Sequence, residues 1–183
     1  MDFERVLKSL LDGFDQRRIR YALMGGFALG ALGAPRATMD LDFLVHRDDL
    51  EALHALMVSL GYARRYHTDN VSQYASQDAA WGGVDFVHAF RKVSLAMLDR
   101  AMEKPILGRS RLARLLQPED VIGLKVQALA NDPARRMKEM ADIEALMDVY
   151  GAEMDWYRLG EFFELFGLSR ELRALRGRFD RVD

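Results

Sequence analysis

Two aspartates separated by one residue, Asp40 and Asp42, are the residues of this sequence best suited to chemistry. Residues 39–43 alternate apolar and acidic side chains, which is the period of a β-strand. Both carboxylates are therefore predicted to leave the same face, about 6–7 Å apart along the chain. Like charges at this spacing repel, and oxygen ligands suit Mg²⁺, so a divalent cation between them is one interpretation. The other is an edge strand with a solvated acidic face.

A glycine pair, Gly25-Gly26, lies between a predicted strand at 20–24 and a short predicted helix that Ala34-Pro35 ends. Glycines at such a point let the backbone approach a ligand, and exposed N–H groups there attract phosphate. The alternative is a plain tight turn. The segment has neither the Gly-Lys-Ser/Thr of a P-loop nor the glycine spacing of the dinucleotide fingerprint.

A third carboxylate, Asp85, lies within an apolar strand predicted at 84–87. An acid between Val84 and Phe86 is costly to bury unless it is paired or bound to a metal. We therefore predict that Asp85 completes the same site as Asp40 and Asp42.

Lys125 lies on a helix that is predicted to open at Pro118. Its neighbours three and four residues away are all apolar: Val121, Ile122, Ala128 and Leu129. An ammonium on this core-facing side, with no acidic residue nearby in sequence, needs an anion from elsewhere. The alternative is a lysine that snorkels to the surface. Further along, Asp142 lies one turn after Lys138, a spacing typical of an ordinary intrahelical pair.

The composition is that of a globular protein: of 183 residues, 26 are Lys or Arg, 28 are Asp or Glu, the net charge is −2 and half are apolar. The near-neutral charge argues against a dedicated nucleic-acid coat protein and leaves a local basic patch open. There is no cysteine, which excludes disulfide scaffolds, thiol nucleophiles and Cys-ligated metals. The first residues are typical of an amphipathic helix, and no apolar run reaches the about 18 residues of a membrane span, so a cytoplasmic protein is predicted.

The elements that must position these residues follow from hydrophobic periodicity and turn signals. Helices are predicted from residue 3 to the stretch at 16–18, at 48–60 and at 93–102, and an antiparallel hairpin at 71–75 and 84–87. Residues 105–116 are expected to be extended or irregular, and helices fill the remainder, at 118–131, from 133 to 150, at 155–166 and at 169–176. We therefore predict an α/β core over 1–116 and a helical region over 117–183 packed on it.

Four basic residues follow one another without an intervening acid between the core and the helical region: Lys104, Arg109, Arg111 and Arg114. One interpretation is a solvated edge. The other is a surface that steers an anionic acceptor such as tRNA.

These residues together resemble the signature of the DNA polymerase β-like nucleotidyltransferase superfamily: Gly25-Gly26, thirteen intervening residues, Asp40-Leu41-Asp42 and the later strand carrying Asp85. A longer form of the pattern is similar to bacterial members grouped with the AbiEii-type toxin nucleotidyltransferases. It adds Arg36 and Thr38, Pro118-Glu119-Asp120, Lys125, and a helix with Lys138 and Asp142. The similarity covers roughly residues 21–146.

The resemblance implies an α+β fold, with a short mixed β-sheet flanked by helices and a helical C-terminal region. It implies magnesium-dependent transfer of a nucleoside monophosphate from a nucleoside triphosphate to a hydroxyl acceptor, with release of pyrophosphate. Asp40, Asp42 and Asp85 would bind two Mg²⁺ ions during catalysis, and Asp85 would also act as the base.

The resemblance also implies a nucleotide-binding set: Gly25, Gly26, Arg36, Thr38 and Lys125. Many members carry Gly-Ser where this chain has Gly25-Gly26, so here backbone amides must hold the triphosphate without a hydroxyl. Arg36 either contacts phosphate or anchors the loop. The acceptor is open between a small molecule, a protein and an RNA end. The rival class is a non-catalytic nucleotide-binding or antitoxin-type partner protein, against which the three intact acids argue.

Overall fold

The computed structural model describes residues 1–180 and divides the chain into two compact units. The first unit comprises Met1–Ala31 and Pro35–Leu116, and the second comprises Leu32–Ala34 and the residues from Gln117 onward. The fold is α+β, as the resemblance implies. None of the helices within residues 1–180 has both the length and the apolar character needed to cross a membrane.

The first unit is built on a seven-stranded mixed sheet with the order β3-β4-β5-β2-β1-β7-β6. The strands are β1 (Tyr21–Met24), β2 (Leu41–His46), β3 (Ala63–His67), β4 (Val71–Ala75), β5 (Gly83–Ala89), β6 (Met102–Ile106) and β7 (Arg111–Leu115). Strand β2 runs parallel to β5 and β1 parallel to β7, whereas the other neighbouring pairs are antiparallel.

Four helices accompany this sheet: α1 (Phe3–Arg17), α2 (Gly25–Ala31), α3 (Leu50–Ser59) and α4 (Lys92–Asp99). Asp2 caps helix α1, because its carboxylate accepts a hydrogen bond from the backbone N–H of Arg5. Its apolar side chains recur at helical spacing, and Val6, Leu10 and Phe14 are fully buried.

The core on one face of the sheet is aromatic. The ring centroid of Phe14 lies 4.7 Å from that of Tyr21 and 5.3 Å from that of Phe43, and Phe43 stacks on Phe86 at 5.7 Å. Successive side chains of a strand point to opposite faces. With Phe43 and Phe86 in the core, Asp42 and Asp85 must lie on the opposite face of the sheet.

The second unit is helical, with α5 (Pro118–Asn131), α6 (Arg136–Tyr150), α7 (Trp156–Leu165) and α8 (Ser169–Phe179). Pro118 occupies the first turn of α5, as predicted, because its missing N–H is not needed there. Helices α5 and α7 approach closely at Gly123, where a Cβ would lie 2.8 Å from ring carbons of Phe162. A larger residue at this position would separate the two helices.

The structure bears on four local features of the sequence. The predicted hairpin is confirmed, with Tyr74 opposite Val84, but β3 was not predicted because all five of its side chains are exposed and no apolar alternation marks it. The segment 105–116 contains most of an antiparallel pair, β6 and β7. Asp40 was expected on a strand, yet β2 begins only at Leu41, which leaves Asp40 in the bend before it.

Candidate active site

Gly25 joins strand β1 to helix α2 with a positive φ of 68°. Its neighbour Met24 pairs with Asp42 in the antiparallel β1–β2 register. A Cβ on Gly25 would overlap Oδ2 of Asp42 and lie 2.5 Å from Cγ, so the Asp42 carboxylate lies directly against this glycine. The absent side chain is required twice, once for the left-handed backbone and once for this close approach.

The loop that leads into β2 lies against the second glycine. A Cβ on Gly26 would lie 2.8 Å from the hydroxyl oxygen of Thr38 and 3.3 Å from Cζ of Arg36. The hydroxyl of Thr38 donates to the carbonyl of Asp40 at 3.1 Å, and Nη1 of Arg36 donates to the carbonyl of Ala37 at 3.0 Å. The loop therefore brings Arg36, Thr38 and the glycine pair to one place.

Asp85 lies opposite Asp42 in the parallel pairing of β5 with β2. Directly opposed residues of neighbouring strands share a face, so the two carboxylates extend from the same side of the sheet. On its other side Asp85 is opposite Gln73 of β4, which is opposite Tyr66 of β3. These four residues, Tyr66, Gln73, Asp85 and Asp42, form what we call the polar row.

Asp40 lies beside this row. A Cβ on Gly83, the first residue of β5, would lie 2.8 Å from Oδ1 of Asp40. Burial raises the pKa of Asp85, and the negative charge of Asp40 raises it further, while a hydrogen bond from Gln73 acts in the opposite direction. The charge of Asp40 therefore disfavours the ionised form of Asp85.

The donors fit Mg²⁺ by type, since carboxylate oxygens are the ligands this cation prefers. Within residues 1–180, however, no group of three or more His, Asp or Glu side chains is gathered tightly enough to enclose a metal ion. Mg²⁺ usually takes one or two carboxylates and completes its shell with water and substrate phosphates. The acids next to Gly25 match that incomplete kind of site.

Lys125 differs from its prediction. Its Nζ donates to Glu139 at 3.1 Å and to Asp142 at 2.5 Å, and Arg135 also donates to Glu139. These carboxylates stand 14 and 17 residues further along the chain, on α6, where sequence proximity did not reveal them.

The lysine takes its anions from elsewhere in the chain, and it does not snorkel, because only 7% of the residue is exposed. Asp142, which lies one turn after Lys138, pairs with Lys125. Because Glu139 and Asp142 already balance its charge, Lys125 does not need a nucleotide phosphate as its anion.

Lys125, Arg135, Glu139 and Asp142 form an ion-pair cluster. Glu139 makes the stability of this cluster sensitive to acid. Burial raises the pKa of Glu139, but Lys125 and Arg135 together lower it more, so the pKa lies below its ordinary value. A carboxylate of this kind stabilises the fold above the ordinary glutamate pKa of about 4.3 and loses that effect as the pH falls through the lowered pKa.

We expect the free energy of unfolding, measured in urea between pH 7 and pH 3, to fall less steeply below pH 4 in Glu139→Gln than in the parent. Glu164→Gln, at an exposed position of α7, is the control and should keep the parent slope. Identical slopes in parent and Glu139→Gln would contradict the prediction.

Of the four basic residues between the core and the helical region, two are engaged within the first unit. Arg111 forms ion pairs with Asp12 at 2.9 Å and Asp15 at 2.8 Å, and Arg114 donates to the carbonyl of Leu98 at 2.8 Å. These contacts favour the interpretation of a structural, partly solvated edge over that of a surface for RNA.

Gln73 and Tyr66 belong to none of the motifs found in the sequence. A signal for Gln73 was present, because the predicted hairpin fixes which residue of β4 faces Asp85 once its turn is placed. Tyr66 had no such signal, since β3 was not predicted at all.

Gly25→Ala is expected to lower the activity of this site by about 10- to 100-fold, because the new methyl group displaces the Asp42 carboxylate. Gly61→Ala is a matched control: Gly61 also has a positive φ, 82°, but a Cβ there would have nothing within 4 Å. Both variants pay the same backbone cost of about 1–2 kcal/mol, visible in the thermal midpoint. Equal activity in the two variants would show that the Gly25–Asp42 contact is not needed.

The fold and a matching family model place the chain among the nucleotidyltransferase enzymes. The chain belongs to the uncharacterised nucleotidyltransferase family, whose model matches residues 2–178. The match does not confirm the AbiEii-type branch. No curated protein matches the chain significantly.

Solved structures with the same fold include the ANT(2")-Ia protein in complex with adenylyl-2"-tobramycin, at 15% identity and a TM-score of 0.63, over 96% of this chain and 95% of that one. The lincomycin-bound lincosamide antibiotic adenylyltransferase LnuA is similar at 14% identity and a TM-score of 0.55, over 80% of this chain and 97% of that one. An antigenic nucleotidyltransferase-like protein from Paracoccidioides brasiliensis is 17% identical over 96% of this chain and 92% of that one, with a TM-score of 0.58. At these identities the similarity shows the fold.

Proposed function

We propose that this protein transfers a nucleoside monophosphate from a nucleoside triphosphate to a hydroxyl acceptor, with Mg²⁺ bound and pyrophosphate released. The observation that carries the proposal is the contact between the Asp42 carboxylate and Gly25, with Asp85 opposite Asp42 in the sheet. It puts a glycine turn suited to phosphate beside two acids suited to a metal and to a proton.

The roles follow from position. The carboxylates of Asp40, Asp42 and Asp85 would hold two Mg²⁺ ions, which supply positive charge against the triphosphate. The backbone amides of Gly25 and Gly26 would hold the triphosphate. Arg36 and Thr38 would flank it, since the loop that carries them lies against Gly26.

In the transfer step the acceptor oxygen forms a bond to the α-phosphorus, and the bond between the α-phosphorus and the bridging oxygen breaks. The proton of the acceptor hydroxyl passes to Asp85, and the electron pair of the broken bond leaves with pyrophosphate. Lys125 has no part in this proposal, because its ammonium already pairs with Glu139 and Asp142.

For the acceptor we propose a small hydroxylated molecule rather than a protein or an RNA end. Two similar structures are named for small antibiotics, tobramycin as an adenylyl adduct and lincomycin. The internal pairing of Arg111 removes much of the argument for RNA. A role as an AbiEii-type toxin, with an antitoxin or toxin partner, is supported by the sequence motifs alone.

The test is a transfer assay with each ribonucleoside triphosphate, Mg²⁺ and a panel of aminoglycosides, lincosamides and total tRNA. We expect pyrophosphate only when Mg²⁺ is present, and one small molecule that gains the mass of a nucleoside monophosphate. Transfer of the nucleoside monophosphate to tRNA or to a co-expressed protein would overturn the choice of a small-molecule acceptor. Nucleotide binding without pyrophosphate under any condition would favour the non-catalytic binding protein.

A further inference from the structure

We propose that Gln73 is a positioning residue for the transfer step: its side-chain amide holds Oδ2 of Asp85 and leaves Oδ1 for the acceptor hydroxyl. The inference rests on the proposed function, because it assumes that Asp85 receives the proton. It adds a residue that the motifs of the sequence do not include.

The geometry begins with the sheet. Gln73 is opposite Asp85 in the antiparallel β4–β5 pairing, so both side chains leave the same face. Nε2 of Gln73 donates to Oδ2 of Asp85 at 3.1 Å, within the normal range for such a bond. The backbone register, rather than a chance rotamer, therefore brings the amide to the carboxylate.

The two sides of Asp85 differ in charge. Across β2 its neighbour in the polar row is Asp42, a second carboxylate, and across β4 it is the neutral amide of Gln73. Repulsion on the first side and an N–H donor on the second both favour one orientation of the Asp85 carboxyl group. A base held in one orientation accepts the proton faster than a freely rotating one, because it is more often aligned with the hydroxyl.

The position of Gln73 also indicates where the acceptor enters. Gln73 is exposed, and it lies on the side of Asp85 away from Asp42 and Gly25, where we propose the metal and the triphosphate. After donating one N–H to Asp85, a glutamine amide still has a second N–H and a carbonyl. These groups are available to bind polar groups of an acceptor that approaches from this side.

The test compares Gln73→Leu, which removes the donor at similar size, with Gln77→Leu, which removes an exposed glutamine just beyond the end of β4. Pyrophosphate release is measured with the acceptor found in the panel. We expect kcat of Gln73→Leu to fall about 10- to 100-fold, with the nucleotide KM and the thermal midpoint unchanged. Gln73→Glu should lose at least as much, because it adds a like charge beside Asp85. Gln77→Leu should match the parent.

A double-mutant cycle with Asp85→Asn separates positioning from an independent role. If Gln73 acts through Asp85, adding Gln73→Leu to Asp85→Asn causes no further loss of kcat. A full further loss, or an unchanged kcat in Gln73→Leu alone, would overturn the inference. If Asp85→Asn itself keeps the parent kcat, the base assignment of the proposed function fails first, and the role of Gln73 fails with it.

Discussion

Asp42→Asn is expected to lower the rate of nucleotidyl transfer by about 10²- to 10⁴-fold while leaving the protein folded. The substitution keeps the shape of the side chain beside Gly25 and removes one formal charge. The site then loses charge that a cation needs, so Mg²⁺-dependent nucleotide binding should weaken as well. Calorimetry of nucleotide with and without Mg²⁺ measures that binding independently of turnover.

Asp69→Asn is the control for this substitution, because it removes the same charge from a side chain that is 86% exposed. It should match the parent in both calorimetry and turnover. Unchanged Mg²⁺ and nucleotide binding in the double variant Asp40→Asn with Asp42→Asn would show that the acidic segment is only a solvated surface. The proposed function would then lose its metal site.

Lys125→Met is expected to destabilise the protein by about 3–5 kcal/mol, because it leaves Glu139 and Asp142 buried without their shared cation. Methionine keeps the length and apolar character of the stem, so the loss of charge is the main change. Urea unfolding measures the free energy. Nucleotide affinity, measured where the variant is still folded, should stay at the parent value if the lysine is purely structural.

Lys138→Met, at an exposed position of α6, serves as the matched control and should change the free energy of unfolding by less than about 0.5 kcal/mol. Replacing the whole cluster by Lys125→Met, Glu139→Leu and Asp142→Leu should recover much of the lost stability, since no buried charge is then left unpaired. A parent-like stability of Lys125→Met alone, together with weaker nucleotide binding, would return this lysine to the nucleotide site.

The local parts of the candidate site could be predicted from the sequence. Gly25-Gly26 marks the end of β1 because glycine has few other reasons to stand between a strand and a helix. The spacing of Asp40 and Asp42 can be read directly from the sequence. So can the position of Asp85 within a run of apolar residues. Each of these signals depends on neighbours a few residues away.

The contacts that bring these distant parts of the chain together could not be predicted in the same way. That Asp42 and Asp85 are direct neighbours depends on the parallel register of β2 and β5, which no local periodicity encodes. The same limit explains Lys125, whose carboxylate partners are on another helix. Strand β3 was not predicted because an exposed edge strand has no buried face to produce a pattern.

The strand order has a consequence for how the protein folds. Strands β3, β4 and β5 form a meander of antiparallel neighbours, and β1 and β2 form a second antiparallel pair. Asp85 belongs to the first group and Asp42 to the second, so the two acids meet only where the groups join. Closing such long-range pairings is slower than forming local hairpins. During refolding, recovery of nucleotide binding should therefore lag behind recovery of the far-ultraviolet circular dichroism signal, and catalytic competence is a late property of this chain.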